Sequence, residues 1–428
     1  MSQVARSRAD SIPLATGAIV RTPSARWWRP WLRSRTHDRP GRALSVLFAL
    51  ARHLDYGGFD VELGGRTHTF RGRHDGPVAR FVVHDQRFAM RFLLGGSVGV
   101  GESWIDGDWS TDNLALFLEV AARNQQFLDR FLHGRLPFRI LKRLRHGMRR
   151  NTRAGSKRNI AFHYDLGNTF YERWLDAGMN YSSALFEGDG DDLAAAQQRK
   201  HVELASRLDL SPGMHVLEIG CGWGDFACHL ARAHDVRVTA VTISPAQYEG
   251  ACARVQQAGL GDRVEIRLTD YRDVAGTFDR IASIEMFEAV GEAYWQAFFT
   301  TLRDRLKPDG RAALQVITIA EAFFEDYRAD PDFIQTYIFP GGMLPTPTHL
   351  RSLSAAAGLK VTDERYFGLD YARTLAIWRH AFEQAWPDLS AQGFDERFAQ
   401  LWRFYLAYCE AGFRAGCIDV GQTTLIRA

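Results

Sequence analysis

Apolar and polar positions along the chain change from a mixed pattern in the first part to a regular alternation of strand and helix in the second. From about residue 160, short apolar runs typical of buried strands alternate with stretches of helical apolar spacing. The predicted strands are His215–Ile219, Arg237–Ile243, Val264–Leu268, Arg280–Ile284 and Ala312–Ile319, and the helices between them include Phe226–Ala233, Pro245–Gln257 and Tyr294–Leu306. Strands separated by helices predict an α/β fold with a parallel, doubly wound (Rossmann-like) sheet.

This second part, residues 160–428, is predicted to be one domain with an insertion. The alternation ends near Ile319, and an aromatic-rich insertion follows at residues 320–350. Two helices, Thr374–Ala385 and Asp395–Phe413, and a last strand at Cys417–Ile426 are predicted to complete the domain.

The first part of the chain predicts three segments. Residues 1–40 form a basic, tryptophan-containing tail. Residues 41–128 predict a small α+β domain, with helices at Ala43–Leu54 and Leu114–Ala121, strands on both sides of the turn Gly64-Gly65, and a strand at Arg80–Val83. Residues 129–159 form a basic amphipathic linker.

The linker suggests an anionic partner. From Arg130 to Arg158 it contains no acidic residue, and apolar side chains interleave with the basic ones. Such a segment is attracted to the phosphates of a bilayer surface and equally to those of nucleic acid, whereas the plainer interpretation is a solvated linker.

Composition narrows the setting. Hydrophobic residues make up 46% of the 428 residues and charged residues 24%, with a net charge of +3, as in a soluble globular protein. The five cysteines form no Cys-x-x-Cys pair, so we expect neither disulfides nor a metal site. We therefore expect the protein to reside in a reducing cytosol. No apolar run approaches the roughly 20 residues needed to span a bilayer.

The strand His215–Ile219 continues into the turn Gly220-Cys-Gly-Trp-Gly224, which predicts a nucleotide-like cofactor site. Gly220, Gly222 and Gly224 allow a ligand to approach the backbone. The acid that ends the strand, Glu218, disfavours a pyrophosphate and suits a ligand with an amino group or ribose hydroxyls. S-adenosylmethionine is such a ligand.

The next two strand ends offer further contacts for that cofactor. Thr242, Ser244 and Gln247 can hydrogen-bond the ribose, and Ser244 before Pro245 also predicts a helix N-cap. After the third strand, Asp270 and Tyr271, followed by Arg272, are placed to contact the adenine.

These and other strings together resemble the cyclopropane-fatty-acyl-phospholipid synthase family, which has a class I methyltransferase sheet. The matching strings are His163–Asn168, Tyr181-Ser182, Leu217–Gly224, Thr242–Gln247, Asp279–Glu288, Tyr337–Pro345, Phe367–Tyr371 and Phe413-Arg414. The resemblance implies that Tyr181 and Ser182 belong to the cofactor site.

The resemblance also implies the reaction: transfer of a methyl(ene) group from S-adenosylmethionine to the cis double bond of a phospholipid acyl chain. The alkene attacks the methyl group of the sulfonium, a carbocation forms, and a base removes a proton so that a cyclopropane closes. Such chemistry needs a dry apolar channel and aromatic faces near the cation. The insertion offers Phe323, Phe324, Tyr327, Phe333, Tyr337 and Phe339 as channel wall or as ordinary core.

In the family the base is a bicarbonate ion, and the resemblance implies its ligands. Glu288 matches the glutamate, Tyr371 the tyrosine, and Ile319 the residue that supplies a backbone amide. Ser183 stands at the cysteine position and Ile317 near the histidine position, where Gln315 is a candidate substitute. These replacements leave open whether bicarbonate binds or Glu288 acts as base itself.

We therefore expect a cytoplasmic enzyme, peripheral on the inner membrane surface, whose partner is a bilayer with unsaturated acyl chains rather than nucleic acid. A homo-oligomer stays open. Three alternatives also stay open at this stage: a methylene- or methyl-branched product, an N-methyltransferase that acts on a small amine, and a non-catalytic lipid-binding protein.

Overall fold

The computed structural model describes residues 39–125, 166–188 and 190–428. The predicted basic tail up to residue 38, the predicted linker and the domain boundaries at 128/129 and 159/160 lie outside the described residues. Among the described residues, no helix is long and apolar enough to cross a membrane.

The first described part, residues 39–125, contains three helices and a small sheet. Helix α1 spans Arg42–Ala51, α2 spans Arg87–Ile105 and α3 spans Leu114–Arg123, with strands β1 (Tyr56–Leu63), β2 (Arg66–Arg71), β3 (His74–Val83) and β4 (Trp109–Thr111). The sheet order is β2-β1-β3-β4. The predicted helices and the strand pair about Gly64-Gly65 are confirmed, whereas α2 and β4 are additional.

The second part is built on a seven-stranded sheet. Its strands are β5 (His215–Ile219), β6 (Arg237–Thr242), β7 (Val264–Leu268), β8 (Phe278–Ile284), β9 (Leu306–Ile319), β10 (Leu359–Tyr366) and β11 (Ile418–Arg427). The order is β10-β11-β9-β8-β5-β6-β7. Strands β5 to β9 run parallel, and β11 is antiparallel to both of its neighbours. The predicted doubly wound α/β sheet is confirmed.

Helices cover this sheet on both faces. They are α4 (Asn168–Tyr171), α5 (Leu193–Leu208), α6 (Asp225–His234), α7 (Pro245–Gln257), α8 (Trp295–Arg305), α9 (Glu321–Ala329), α10 (Pro347–Ala356), α11 (Gly368–Ala391) and α12 (Glu396–Arg414). Ser244 caps α7 by accepting from the amide of Gln247, with Pro245 in the first turn, as predicted.

One apolar core joins the two parts. Phe117 and Val120 of α3, Phe170 and Trp174 near α4, and Trp402 of α12 belong to one buried cluster. Helix α12 packs against α2 and α3 as well as α11. Residues 39–125 therefore pack as a wall beside the seven-stranded sheet and share its core.

Candidate active site

A cleft of about 750 Å³ opens at the carboxyl ends of β5, β6 and β7. In an open parallel sheet this is where ligands bind. Of the twelve residues predicted to contact the cofactor, eleven line the cleft: Tyr181, Ser182, Glu218, Gly220, Gly222, Thr242, Ser244, Gln247, Asp270, Tyr271 and Arg272. Gly224 does not, because it lies behind the turn against Ala251 of α7.

The turn after β5 brings the main chain close to the cleft. Gly220 and Gly224 have φ of 81° and 80°, which side-chain-bearing residues rarely adopt. A Cβ on Gly220 would stand 2.7 Å from the side chain of Met286, and one on Gly224 would stand 3.1 Å from the Cβ of Ala251. Glycine at both positions therefore lets the turn after β5 pack closely against Met286 and against Ala251 of α7.

Glu218 supplies a buried carboxyl group at the base of the cleft. Its side chain is 2% exposed, and its Oε2 atom has no hydrogen-bond partner in the described structure. Burial, together with the nearby Asp225, raises the pKa of Glu218 to about 8. A ligand that brings an ammonium group or hydroxyl donors would supply the missing partner, so this residue fits S-adenosylmethionine.

Hydroxyl and amide groups form the neighbouring wall. The Thr242 hydroxyl donates to Gln247 Oε1 at 2.9 Å. Across the cleft, both carboxylate oxygens of Asp270 accept from the Arg272 guanidinium, at 2.9 and 2.5 Å. The predicted contacts of these residues with ribose and adenine stay predictions.

Lys200 is a residue of this cleft that the sequence prediction missed. It is fully buried on α5, and its Nζ donates to the Ser182 hydroxyl at 2.9 Å. Burial lowers its pKa to about 8, although the carboxylates of Glu285 and Asp176 oppose that shift. The sequence signal was weak because a single lysine on a helix normally faces solvent.

A second cavity, of about 450 Å³, lies between the two parts of the chain. Phe92, Val100, Leu118 and Ala121 of the first part line it on one side, and the 320–350 insertion with α11 and α12 lines it on the other. Of the six predicted channel aromatics, Phe323, Tyr327 and Phe339 line this cavity.

The other three predicted channel aromatics serve elsewhere. Phe324 packs on His349 and Trp295, and Phe333 packs on Phe404. The Tyr337 hydroxyl donates to Glu102 of α2 at 2.5 Å. These side chains hold the insertion against the rest of the fold.

The two cavities meet at three residues that line both: Tyr181, Glu285 and Ala289. A ligand in the cleft and a chain in the second cavity would therefore come closest to each other at this junction. Glu285, which immediately follows β8, was not among the predicted site residues.

Three of the predicted base-binding groups converge on Glu285. The backbone amide of Ser183 and the side-chain amide of Gln315 donate to its Oε1 at 2.9 and 2.8 Å. The Tyr371 hydroxyl donates to its Oε2 at 2.7 Å. Ser183 contributes its backbone amide, because its own hydroxyl donates to the carbonyl of Ala184.

Glu288 lies in the apolar cavity three residues further on. Its Oε1 accepts from the amide of Ile317, and its Oε2 has no partner in the described structure. Burial and the charge of Glu285 raise the pKa of Glu288 to about 8. Its predicted role as base stays a prediction.

The predicted role of Ile319 needs correction. Its amide donates to the carbonyl of Pro345 at 2.9 Å, so it is not available to an anion. Strand β8 ends at Ile284, opposite Gln315 of β9. The β9 amides beyond Gln315 on this side are therefore not paired with β8. Glu288 takes that of Ile317, and the chain returning through Pro345 takes that of Ile319.

The family model for mycolic acid cyclopropane synthetase matches residues 151–423. The chain belongs to this family. It is thus an S-adenosylmethionine-dependent methyltransferase, and the predicted family, enzyme class and cofactor are confirmed. Residues 39–125 precede the matched region.

Curated relatives and a solved structure agree with the family. Tuberculostearic acid methyltransferase UfaA1 of Mycobacterium tuberculosis is 40% identical to this chain; the alignment covers 81% of this chain and 83% of that protein. The cyclopropane-fatty-acyl-phospholipid synthase of Escherichia coli K12 is 38% identical over 81% and 87%. The crystal structure of mycolic acid cyclopropane synthase CmaA1 complexed with SAH and CTAB is 31% identical, with a TM-score of 0.59 over 63% of this chain and 97% of that one.

Proposed function

We propose that this enzyme transfers a methyl(ene) group from S-adenosylmethionine to the cis double bond of an unsaturated phospholipid acyl chain. The observation that carries the proposal is the junction of the two cavities. The cleft suited to the cofactor opens, through Tyr181 and Glu285, into a second, largely apolar cavity. A small soluble amine would not need the second cavity.

Aromatic rings at the junction support a cationic intermediate. The Tyr371 ring stacks on Phe413 with centroids 4.5 Å apart, and Tyr181 lies beside Trp378 at 5.4 Å. The faces of such rings stabilise a nearby positive charge. When bound, S-adenosylmethionine supplies the electrophilic methyl group. The protein orients it and excludes water, so that the cation is not quenched.

The product class is tested by mass analysis. We expect expression of this chain in a host rich in monounsaturated phospholipids to add one CH2 unit to their acyl chains. Resistance to hydrogenation would identify a cyclopropane, whereas uptake of hydrogen would identify a methylene branch. Acyl chains of unchanged mass would refute the proposal.

A methyl-branched lipid is the second candidate product, favoured by the 40% identity to a tuberculostearic acid methyltransferase. That outcome would appear as a gain of CH2 plus two hydrogens in the same mass spectra. It requires a reductant in the host, because methyl transfer and loss of a proton leave a ring or a double bond.

A bilayer is the proposed source of the lipid. Met90 and Leu94 of α2 are 51% and 43% exposed, while Phe92 and Gly96 of the same helix line the apolar cavity. Exposed apolar side chains next to a cavity wall suit contact with lipid. We expect Met90→Asp with Leu94→Asp to weaken sedimentation with anionic phospholipid vesicles; unchanged sedimentation would exclude this face.

A further inference from the structure

The Glu285 carboxylate occupies the place where the family resemblance predicted a bicarbonate ion. Three of the predicted anion-binding positions, Ser183, Gln315 and Tyr371, all donate to its two oxygens at 2.7–2.9 Å. These donors come from three elements: the loop before α5, strand β9 and helix α11. The protein thus places a carboxylate of its own within a set of anion-binding donors.

The backbone of Glu285 indicates that this placement is specific. Its φ of 48° lies in the left-handed region, where glycine is comfortable and other residues are strained. A strained non-glycine residue persists only where its surroundings determine it, and such residues cluster at functional sites. The side chain at this position therefore has a role that glycine cannot supply.

A one-way chain of hydrogen bonds fixes Glu285 as an acceptor. Arg207 can only donate, and its Nε donates to Gln422 Oε1 at 3.1 Å. The Gln422 amide nitrogen must then donate onward, to Gln315 Oε1 at 3.0 Å. The Gln315 amide nitrogen is left facing Glu285 Oε1.

The groups around Glu285 also favour its ionised form, as the hydrogen-bond chain does. Burial raises the pKa of Glu285, whereas the Tyr371, Gln315 and Ser183 donors and the Lys200 ammonium all oppose that rise. Glu288 accepts only from backbone amides, and burial together with the charge of Glu285 raises its pKa to about 8, so that its protonated form dominates at neutral pH. Of these two carboxyls, Glu285 is the one held ready to accept a proton.

We infer that Glu285 is the proton acceptor of the reaction and acts without a bound bicarbonate ion. The inference rests on the proposed function. The alkene electron pair forms the new bond to the methyl carbon while the carbon–sulfur pair leaves with sulfur. One methyl C–H pair then closes the second carbon–carbon bond, and its proton passes to the Glu285 carboxylate.

The test uses the full chain with S-adenosylmethionine and vesicles of dioleoyl phosphatidylglycerol, in buffer freed of carbon dioxide and in the same buffer with bicarbonate. We expect equal turnover of the unmodified enzyme in both. Glu285→Gln should lower kcat by about 10²–10⁴-fold and leave the dissociation constant for S-adenosylmethionine unchanged. Glu325→Gln, on an exposed side chain of α9, is the matched control.

A second variant removes the carboxylate without straining the backbone. Glu285→Gly suits the φ of 48°, so we expect it to fold. This variant should be inactive in the buffer freed of carbon dioxide. Added bicarbonate or formate should restore turnover, because the anion would bind the donors of Ser183, Gln315 and Tyr371 in place of the carboxylate. A glycine variant that no added anion restores would contradict the inference.

The remaining outcomes separate the inference from the proposed function. No methylated lipid from the unmodified enzyme would overturn both. Normal lipid methylation by Glu285→Gln, or an unmodified enzyme that depends on bicarbonate, would overturn the role of Glu285 alone. A loss of turnover in Glu288→Gln that Glu285→Gln does not show would assign the base to Glu288 instead.

Discussion

At the scale of single residues, the cofactor cleft depends on Glu218. Its carboxyl has an oxygen without a partner in the described structure, and its pKa of about 8 means that it carries a proton at neutral pH before the ligand binds. A cationic ligand favours the ionised form, so binding should release that proton. The cleft is therefore expected to bind S-adenosylmethionine more weakly as the pH falls below about 8.

We predict that Glu218→Gln raises the dissociation constant for S-adenosylmethionine by about 10–100-fold, the value of one hydrogen bond to a charged group. The pH dependence of binding should disappear with it. Titration calorimetry across this pH range measures both. Glu249→Gln, exposed on α7, is the control, and full affinity in Glu218→Gln would contradict the role of this acid.

The residue scale is also where prediction from sequence was least complete. The family resemblance implied an anion site at Ser183, Gln315 and Tyr371, but it did not indicate which atoms serve it. Ser183 uses its backbone amide, and Ile317 rather than Ile319 gives its amide to a glutamate. Such choices depend on where β8 ends beside β9, which residue identity does not encode.

At the scale of elements, periodicity predicted the second part well, because buried parallel strands are continuous apolar runs. The missed strand β10, Leu359–Tyr366, lies at the sheet edge, and most of its side chains are polar and partly or fully exposed. The missed helix α2 contains four glycines and is broken at Gly96, where φ is 55°. Glycine lowers helix propensity, which hid the helix in the sequence.

Gln422 lies on strand β11, and its side chain orients Gln315 toward Glu285. We expect Gln422→Leu to free the Gln315 amide to rotate, which removes a donor from Glu285 and raises the pKa of that carboxyl further. Since the base must be ionised, the acid limb of the pH–kcat profile should move to higher pH.

The Gln422→Leu profile is read against the other groups that face Glu285. These are Lys200 of α5, Tyr371 of α11 and Glu288 after β8. A merely structural effect would lower kcat at every pH without moving the limb. Gln422→Glu can still accept from Arg207 but cannot donate to Gln315, so it should move the limb in the same direction. An unshifted limb in Gln422→Leu would remove Gln422 from the positioning of the base.

At the scale of the whole molecule, residues 39–125 complete the apolar cavity. The sequence assigned no role to the predicted α+β domain. The contacts that join α3 to α12 connect residues almost 300 positions apart, such as the hydrogen bond from Arg123 to the carbonyl of Arg414. Local periodicity cannot report such contacts. The family match at 151–423 does not include these residues, so the proposed acyl site extends beyond the matched region.

Ala121 of α3 provides the test of that wall, since its small side chain faces the cavity. We predict that Ala121→Phe fills space needed by the acyl chain and lowers turnover of dioleoyl phospholipid by about 10–100-fold through misplacement of the double bond. Binding of S-adenosylmethionine should be unchanged, because the cleft of Glu218 lies on the other side of the junction. Ala194→Phe, exposed on α5, adds the same ring away from both cavities. Equal turnover of the two variants, measured by mass analysis of the acyl chains, would show that the first part of the chain does not bound the acyl site.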